Sequence, residues 1–162
     1  MSMFLSNEPA EKREYQNHPQ GVAEAVCVDA FTREIVTKDG ETKTKLVLVF
    51  ETDKKMEANA EGVQKNFCIW DWNNVPQSIL NENGNLHKRL KQWGIDFSSG
   101  FNALEDFEKA VLNRPATLTI VHGTGENGTV YDNIAACLPV DGEGFQPTGA
   151  YTRQKDRDAD PY

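Results

Sequence analysis

A chain of 162 residues, 38% hydrophobic and 26% charged, is long enough for one domain with its own core and too apolar to be wholly disordered. Its formal net charge of −8 argues against binding nucleic acid by bulk attraction alone, but leaves room for a local basic groove. No apolar run is longer than the five residues of Leu46 to Phe50, far short of a membrane span, the N-terminus lacks a basic-then-apolar leader, and Cys27, Cys68 and Cys137 have no paired spacing, so the expected setting is a reducing cytoplasm without membrane, zinc or disulfides.

Residues 1–20 are polar and read as an N-terminal arm. Residues 21–37, rich in Val, Ala and Thr, suit a long strand that bends or bulges near Asp29 and Ala30. Lys38, Asp39, Gly40 and Glu41 read as a turn, because Asp-Gly supplies the positive φ of a tight hairpin. A second strand follows over 42–52, and its solidly apolar centre predicts burial on both faces. Residues 53–62 read as a charged loop. Residues 63–72 form a third strand, with Phe67 and Ile69 on one face and Cys68, Trp70 and Trp72 on the other.

The period then changes. Leu86, Leu90 and Trp93 fall at i, i+4 and i+7, one stripe of a helix that Gly94 stops. Asn102 and Glu105 have the spacing of a capping box, followed by an apolar stripe of Leu104, Phe107, Val111 and Leu112. Asn113, Arg114 and Pro115 end that helix. Leu118 and Ile120 alternate with Thr117, Thr119 and Val121 in a fourth strand. Asn127-Gly128 is a hairpin signal, and 129–139 returns as the fifth strand. Residues 141–162 have Gly, Pro and charge but no apolar period, and read as a disordered acidic tail with five acids against three bases. Three strands, a helical insert and two more strands is the order of a mainly β, five-stranded OB-fold barrel over 21–140. Another α+β meander has the same order.

No catalytic constellation stands out. His18, His87 and His122 are isolated and read as surface or strand-end histidines. There is no G-x-S-x-G elbow, no phosphate-binding loop and no dinucleotide fingerprint, and the Gly-rich stretch 122–128 joins two strands. The expectation is a non-enzyme without catalytic residues, metal or cofactor.

The aromatics and bases on strands carry more. Single-stranded DNA is held by stacking bases on rings and tracking phosphates with Lys and Arg. Trp70 and Trp72 on the third strand and Tyr131 on the fifth are candidate stacking rings. Arg33, Lys43, Lys45 and Lys65 are candidate phosphate contacts. Each of the two tryptophans suits a core equally well, and the lysines also suit a solvated edge that discourages strand pairing. Phe50, Phe67, Trp93 and Phe107 read as core.

The chain ends Asp156-Arg157-Asp158-Ala159-Asp160-Pro161-Tyr162, which resembles the acidic, proline-aromatic tip of bacterial single-stranded DNA-binding proteins. Here Tyr stands for the usual Phe, and Arg153, Lys155 and Arg157 dilute the charge. The resemblance implies that Asp156, Asp158, Asp160, Pro161 and Tyr162 form a docking peptide for replication or recombination proteins, the ring filling an apolar pocket and the acids meeting a basic patch. Residues 20–140 are also similar to a family of small phage-encoded proteins with an OB-type core. The matching stretches include GVAEAVCVDAF, LVLVFET, LHKRLKQWGIDF, FEKAVLNRPATLTIVH and NGTVYDNIAACLP. The family usually has Gly where this chain has Asn113, and a Trp-Arg-Gly step at Trp93-Gly94. This resemblance implies single-stranded DNA binding during phage-type replication, recombination or repair, in a host cytoplasm, with self-association compatible. An acidic tail folding back on the groove would reconcile the net charge with binding. The alternative is an OB-type protein–protein adaptor whose acidic body is the working surface.

Overall fold

The computed structural model describes residues 16–76 and 78–157. Its strands are β1 (Gly21–Val36), β2 (Thr42–Lys55), β3 (Asn66–Asn74), β4 (Pro115–Thr124) and β5 (Val130–Pro139). Between β3 and β4 lie α1 (Asn85–Trp93) and α2 (Leu104–Val111). The strands make one sheet in the order β3-β2-β1-β4-β5, with every neighbouring pair antiparallel. The chain is therefore mainly β, five-stranded, with the helical insert after the third strand. The sheet curls so that its edges, β3 and β5, line opposite sides of one seam. Among the described residues no ladder joins those edges. This is the connectivity of a partly open OB-type barrel.

The long β1 belongs to two ladders, pairing β4 over residues 21–26 and β2 over residues 25–36. The bulge expected near Asp29 is present: the register to β2 shifts between Cys27 and Asp29, with Val28 as the extra residue. Cys27 and Ala30 therefore both face the inner core, while Val28 and Asp29 both lie on the outer side. Gly40 takes φ 81° in the β1–β2 turn and Gly128 φ 80° in the β4–β5 hairpin, as the Asp-Gly and Asn-Gly steps require. β2 runs on to Lys55 and β3 begins at Asn66, so the charged loop lies three residues later than its composition indicates.

Two apolar clusters sandwich the sheet. On the inner side Leu46, Leu48, Phe50, Ile69, Leu118 and Ile120 pack against Leu86, Leu90 and Trp93 of α1 and Phe107 and Val111 of α2. The Trp93 indole N–H donates to the Pro115 carbonyl at 2.8 Å, which satisfies the one polar atom of a fully buried ring. On the outer side Val26, Val28, Val47 and Val49 pack with Phe31, Cys68, Trp70, Phe145 and Tyr151. The centre of β2 is thus buried on both faces, as its unbroken apolar run predicts.

Three local expectations need correction. Asn102 and Glu105 do not form a capping box: α2 starts at Leu104, its cap residue is Ala103, and no side chain caps it. The helix begins a residue later than the spacing requires, and Glu105 and Asp106 meet the first-turn dipole instead. His18 and His87 are not surface residues. His18 is fully buried, its Nε2 2.8 Å from Thr52 Oγ1 and its Nδ1 2.7 Å from the Pro19 carbonyl, with the ring 5.0 Å from Phe67. His87 is buried with Nδ1 2.8 Å from the Ile79 carbonyl. Only His122 is exposed, near the end of β4.

Residues 141–157 contain no strand and only one short 3-10 turn, Gln154–Asp156. The segment nevertheless runs along the outer face as a strap, where Phe145 and Tyr151 complete the outer cluster.

Candidate nucleic-acid interface

The register arranges the outer face in rows across three strands. Arg33, Lys45 and Asn74 form one row, Phe31, Val47 and Trp72 the next, and Asp29, Val49 and Trp70 the third. Alternation along β3 is what turns both tryptophans away from Phe67 and Ile69, which are buried on the other side. Trp70 is half-buried and packs edge-on to Phe31, with ring centroids 5.2 Å apart. Trp72 leans on it at 5.9 Å and stays 45% exposed. Neither ring belongs to the inner core.

Tyr131, 48% exposed, comes to the same place from the other edge of the sheet. A cleft of about 480 Å³ occupies the seam between β3 and β5, lined by Trp70, Trp72 and Tyr131 together with Asp71, Asp132 and Asn133. Glycine at position 125 makes room for the tyrosine: a Cβ there would lie 2.6 Å from the Tyr131 ring. The two acids are engaged. Asp71 pairs with Arg89 at 3.0 Å, and Asp132 accepts from the His18 N–H and the Asn17 amide, each at 3.1 Å, beside His122.

Three of the four expected bases gather at one end of this face. Arg33 lies directly opposite Lys45 in the β1–β2 register, and Lys43 follows two residues before Lys45 on the same side. Like charges facing each other across a ladder repel unless an anion or a π-face takes them up. The Arg33 guanidinium sits 5.0 Å from the Trp70 centroid and 5.3 Å from that of Phe31, and its Nη2 donates to Gln154 at 3.2 Å. Lys45 donates to the Asn74 side-chain carbonyl. Lys65 is not with them. It borders a second cleft of about 670 Å³ on the far side of Trp70, beside Tyr151 and Arg157.

Of the expected docking peptide, Asp156 is exposed in the 3-10 turn and lines that second cleft. Asp158, Asp160, Pro161 and Tyr162 lie outside the described residues.

Sequence reasoning missed Phe31, Asp29, Glu51, Tyr151 and Arg157 as parts of this face. Asp29 and Glu51 are 1% and 2% exposed, and both take donors from the strap. Asp29 accepts from the Tyr151 hydroxyl at 2.9 Å, Arg153 Nε at 3.1 Å and the Gln154 N–H at 2.9 Å. Glu51 accepts from the Asn66 amide at 3.0 Å and the Thr148 N–H at 3.4 Å. Burial and the bond to Asp29 push the Tyr151 phenol well above its ordinary value. Burial, with Glu51 nearby, pushes the Cys68 thiol up to about 12, so it is no nucleophile at neutral pH. The available signal was compositional: Phe145 and Tyr151 are large rings in a stretch that is otherwise small and polar.

The face can stack planar groups and hold anions. Among the described residues no group of three or more His, Cys, Asp or Glu is placed to hold a metal ion. No family model matches the chain, and no curated protein matches it significantly.

Proposed function

We propose that this chain is a non-enzymatic single-stranded DNA-binding protein of phage-type replication or recombination, working in the host cytoplasm and recruiting partner proteins through its C-terminal end. The observation that carries the reading is the meeting of Trp70, Trp72 and Tyr131 in one open cleft, with Arg33 and Lys45 opposed at its end. Exposed rings on a sheet are unusual unless something stacks on them, and opposed bases are relieved by a phosphate. The acidic body is reconciled with this by position: Asp29, Glu51, Asp71 and Asp132 all have hydrogen-bond or ion-pair partners.

Titrating the protein with an oligo-dT strand while following tryptophan fluorescence tests the reading, because Trp72 is exposed and its emission should be quenched on stacking. Binding should weaken as salt rises. A flat titration at low salt refutes it. The net charge of −8 favours a second reading, a protein–protein adaptor, which that flat titration would support.

A further inference from the structure

The two clefts adjoin: Cys68 and Trp70 line both, one cleft on either side of the Trp70 ring. The far wall of the larger cleft is the strap, through Thr148, Tyr151 and Arg157. We infer that residues 145–157 form a permanent wall of the nucleic-acid path, with Lys65 and Arg157 holding backbone phosphates on the side of Trp70 away from Trp72. This rests on the single-stranded DNA reading above.

Three observations point to a wall, not a cover that must leave. The strap is anchored by charge as well as by rings: one buried carboxylate, Asp29, takes three of its donors, and Arg153 also reaches Glu108 at 3.3 Å. Such an anchor is costly to break, since it would leave a buried charge unpaired. Next, the strap is no polyanion. Over 141–157 the acids Asp141, Glu143 and Asp156 are matched by Arg153, Lys155 and Arg157, so it has no net charge with which to imitate DNA. Finally, the second cleft repeats the chemistry of the first. The Arg157 guanidinium lies 5.3 Å from the Tyr151 centroid, as Arg33 lies over Trp70. At this cleft Lys65 and Arg157 oppose one exposed acid, Asp156, because Glu51 is buried and hydrogen-bonded. A base on a ring beside an exposed lysine is what a strand passing from Trp70 would meet next.

The test uses the full chain, an oligo-dT of about 15 nucleotides to fill one such domain, and the variants Lys65→Ala, Arg157→Ala, their double, and Trp72→Ala. Each basic substitution should weaken binding several-fold at low salt. The slope of log affinity against log salt should become shallower by about 0.7 for each phosphate that is no longer neutralised. Lys65 precedes β3 and is exposed, so it tests the path even where Arg157→Ala loosens the strap. Unchanged affinity and slope in both single variants, with binding still weakened by Trp72→Ala, overturns the inference and leaves the function standing. Tighter binding by Arg157→Ala also overturns it, by marking the strap as a cover. A wild-type protein that does not bind overturns both.

Discussion

Asp29 on β1 and Tyr151 in the C-terminal segment are joined by a hydrogen bond of 2.9 Å across 122 positions of sequence, and the carboxylate that accepts it is almost wholly out of water. The bulge at Val28 turns this aspartate to the outer face, so a defect in one ladder becomes the fixing point of a segment with no ladder of its own.

Asp29→Ala should therefore release the strap without dissolving the sheet. It leaves the Tyr151 hydroxyl and the Gln154 N–H without their acceptor, a loss of about 1–3 kcal/mol. Hydrogen exchange over residues 145–157 should rise sharply while β2 and β4 stay protected. Uniform protection in the variant would show that Phe145 and Tyr151 hold the strap by apolar contact alone.

The same bond sets an alkaline limit. The Tyr151 phenol is raised in the folded protein, mainly by burial and then by its bond to Asp29, whereas in the unfolded chain it ionises near pH 10. The folded state thus holds this proton more tightly. That contribution to stability is complete below about pH 10 and is lost as pH climbs from there toward the folded value. Melting curves of Tyr151→Phe should fall less steeply than wild type above pH 10. Parallel slopes would assign the alkaline loss to the buried thiols of Cys27, Cys68 and Cys137, which are also raised by burial.

The tryptophans should separate cleanly. Trp72→Ala removes an exposed ring and should leave the fold intact while costing about 1–3 kcal/mol of oligo-dT affinity. Trp93→Ala empties a fully buried site and orphans the Pro115 carbonyl, and should cost about 3–5 kcal/mol of stability. Circular dichroism melts beside fluorescence titrations report both. A Trp72→Ala protein that is unfolded would mean the ring is structural.

The tip predicts a different loss. Deleting Tyr162 should abolish capture of a replication or recombination partner and leave oligo-dT affinity unchanged, because an anchoring ring carries a large share of such peptide binding. Identical partners captured by both proteins from infected-cell lysate would make the tip a solubilising end only.

How much of this was legible in the sequence follows from range. Leu86, Leu90 and Trp93 announced a buried helical stripe because their spacing is local, and Asp39-Gly40 and Asn127-Gly128 announced their turns for the same reason. The run Leu46–Phe50 declared that both faces of β2 are covered, but not by what. The cover is a segment without period, whose two isolated rings carry no phase for a pattern to detect. The cleft was half legible: Trp70 and Trp72 share a face by alternation, while Tyr131 joins them only because the sheet curls. The opposition of Arg33 and Lys45 depends on a register that the bulge moves by one, and one residue is more than any composition can resolve.

That single inserted residue also sets the polarity of everything after it. Strand side chains alternate sides, so a regular ladder that took Val28 in as a paired residue, with no bulge, would invert the remainder of the strand relative to Cys27. Phe31 and Arg33 would be sent into the oil beneath the helices, and Ala30 would surface where the rings now lie. At this point of the chain the number of residues matters more than their identity: a strand lacking Val28 would still put Phe31 and Arg33 on the outer face, whereas one that kept it must bulge to do so.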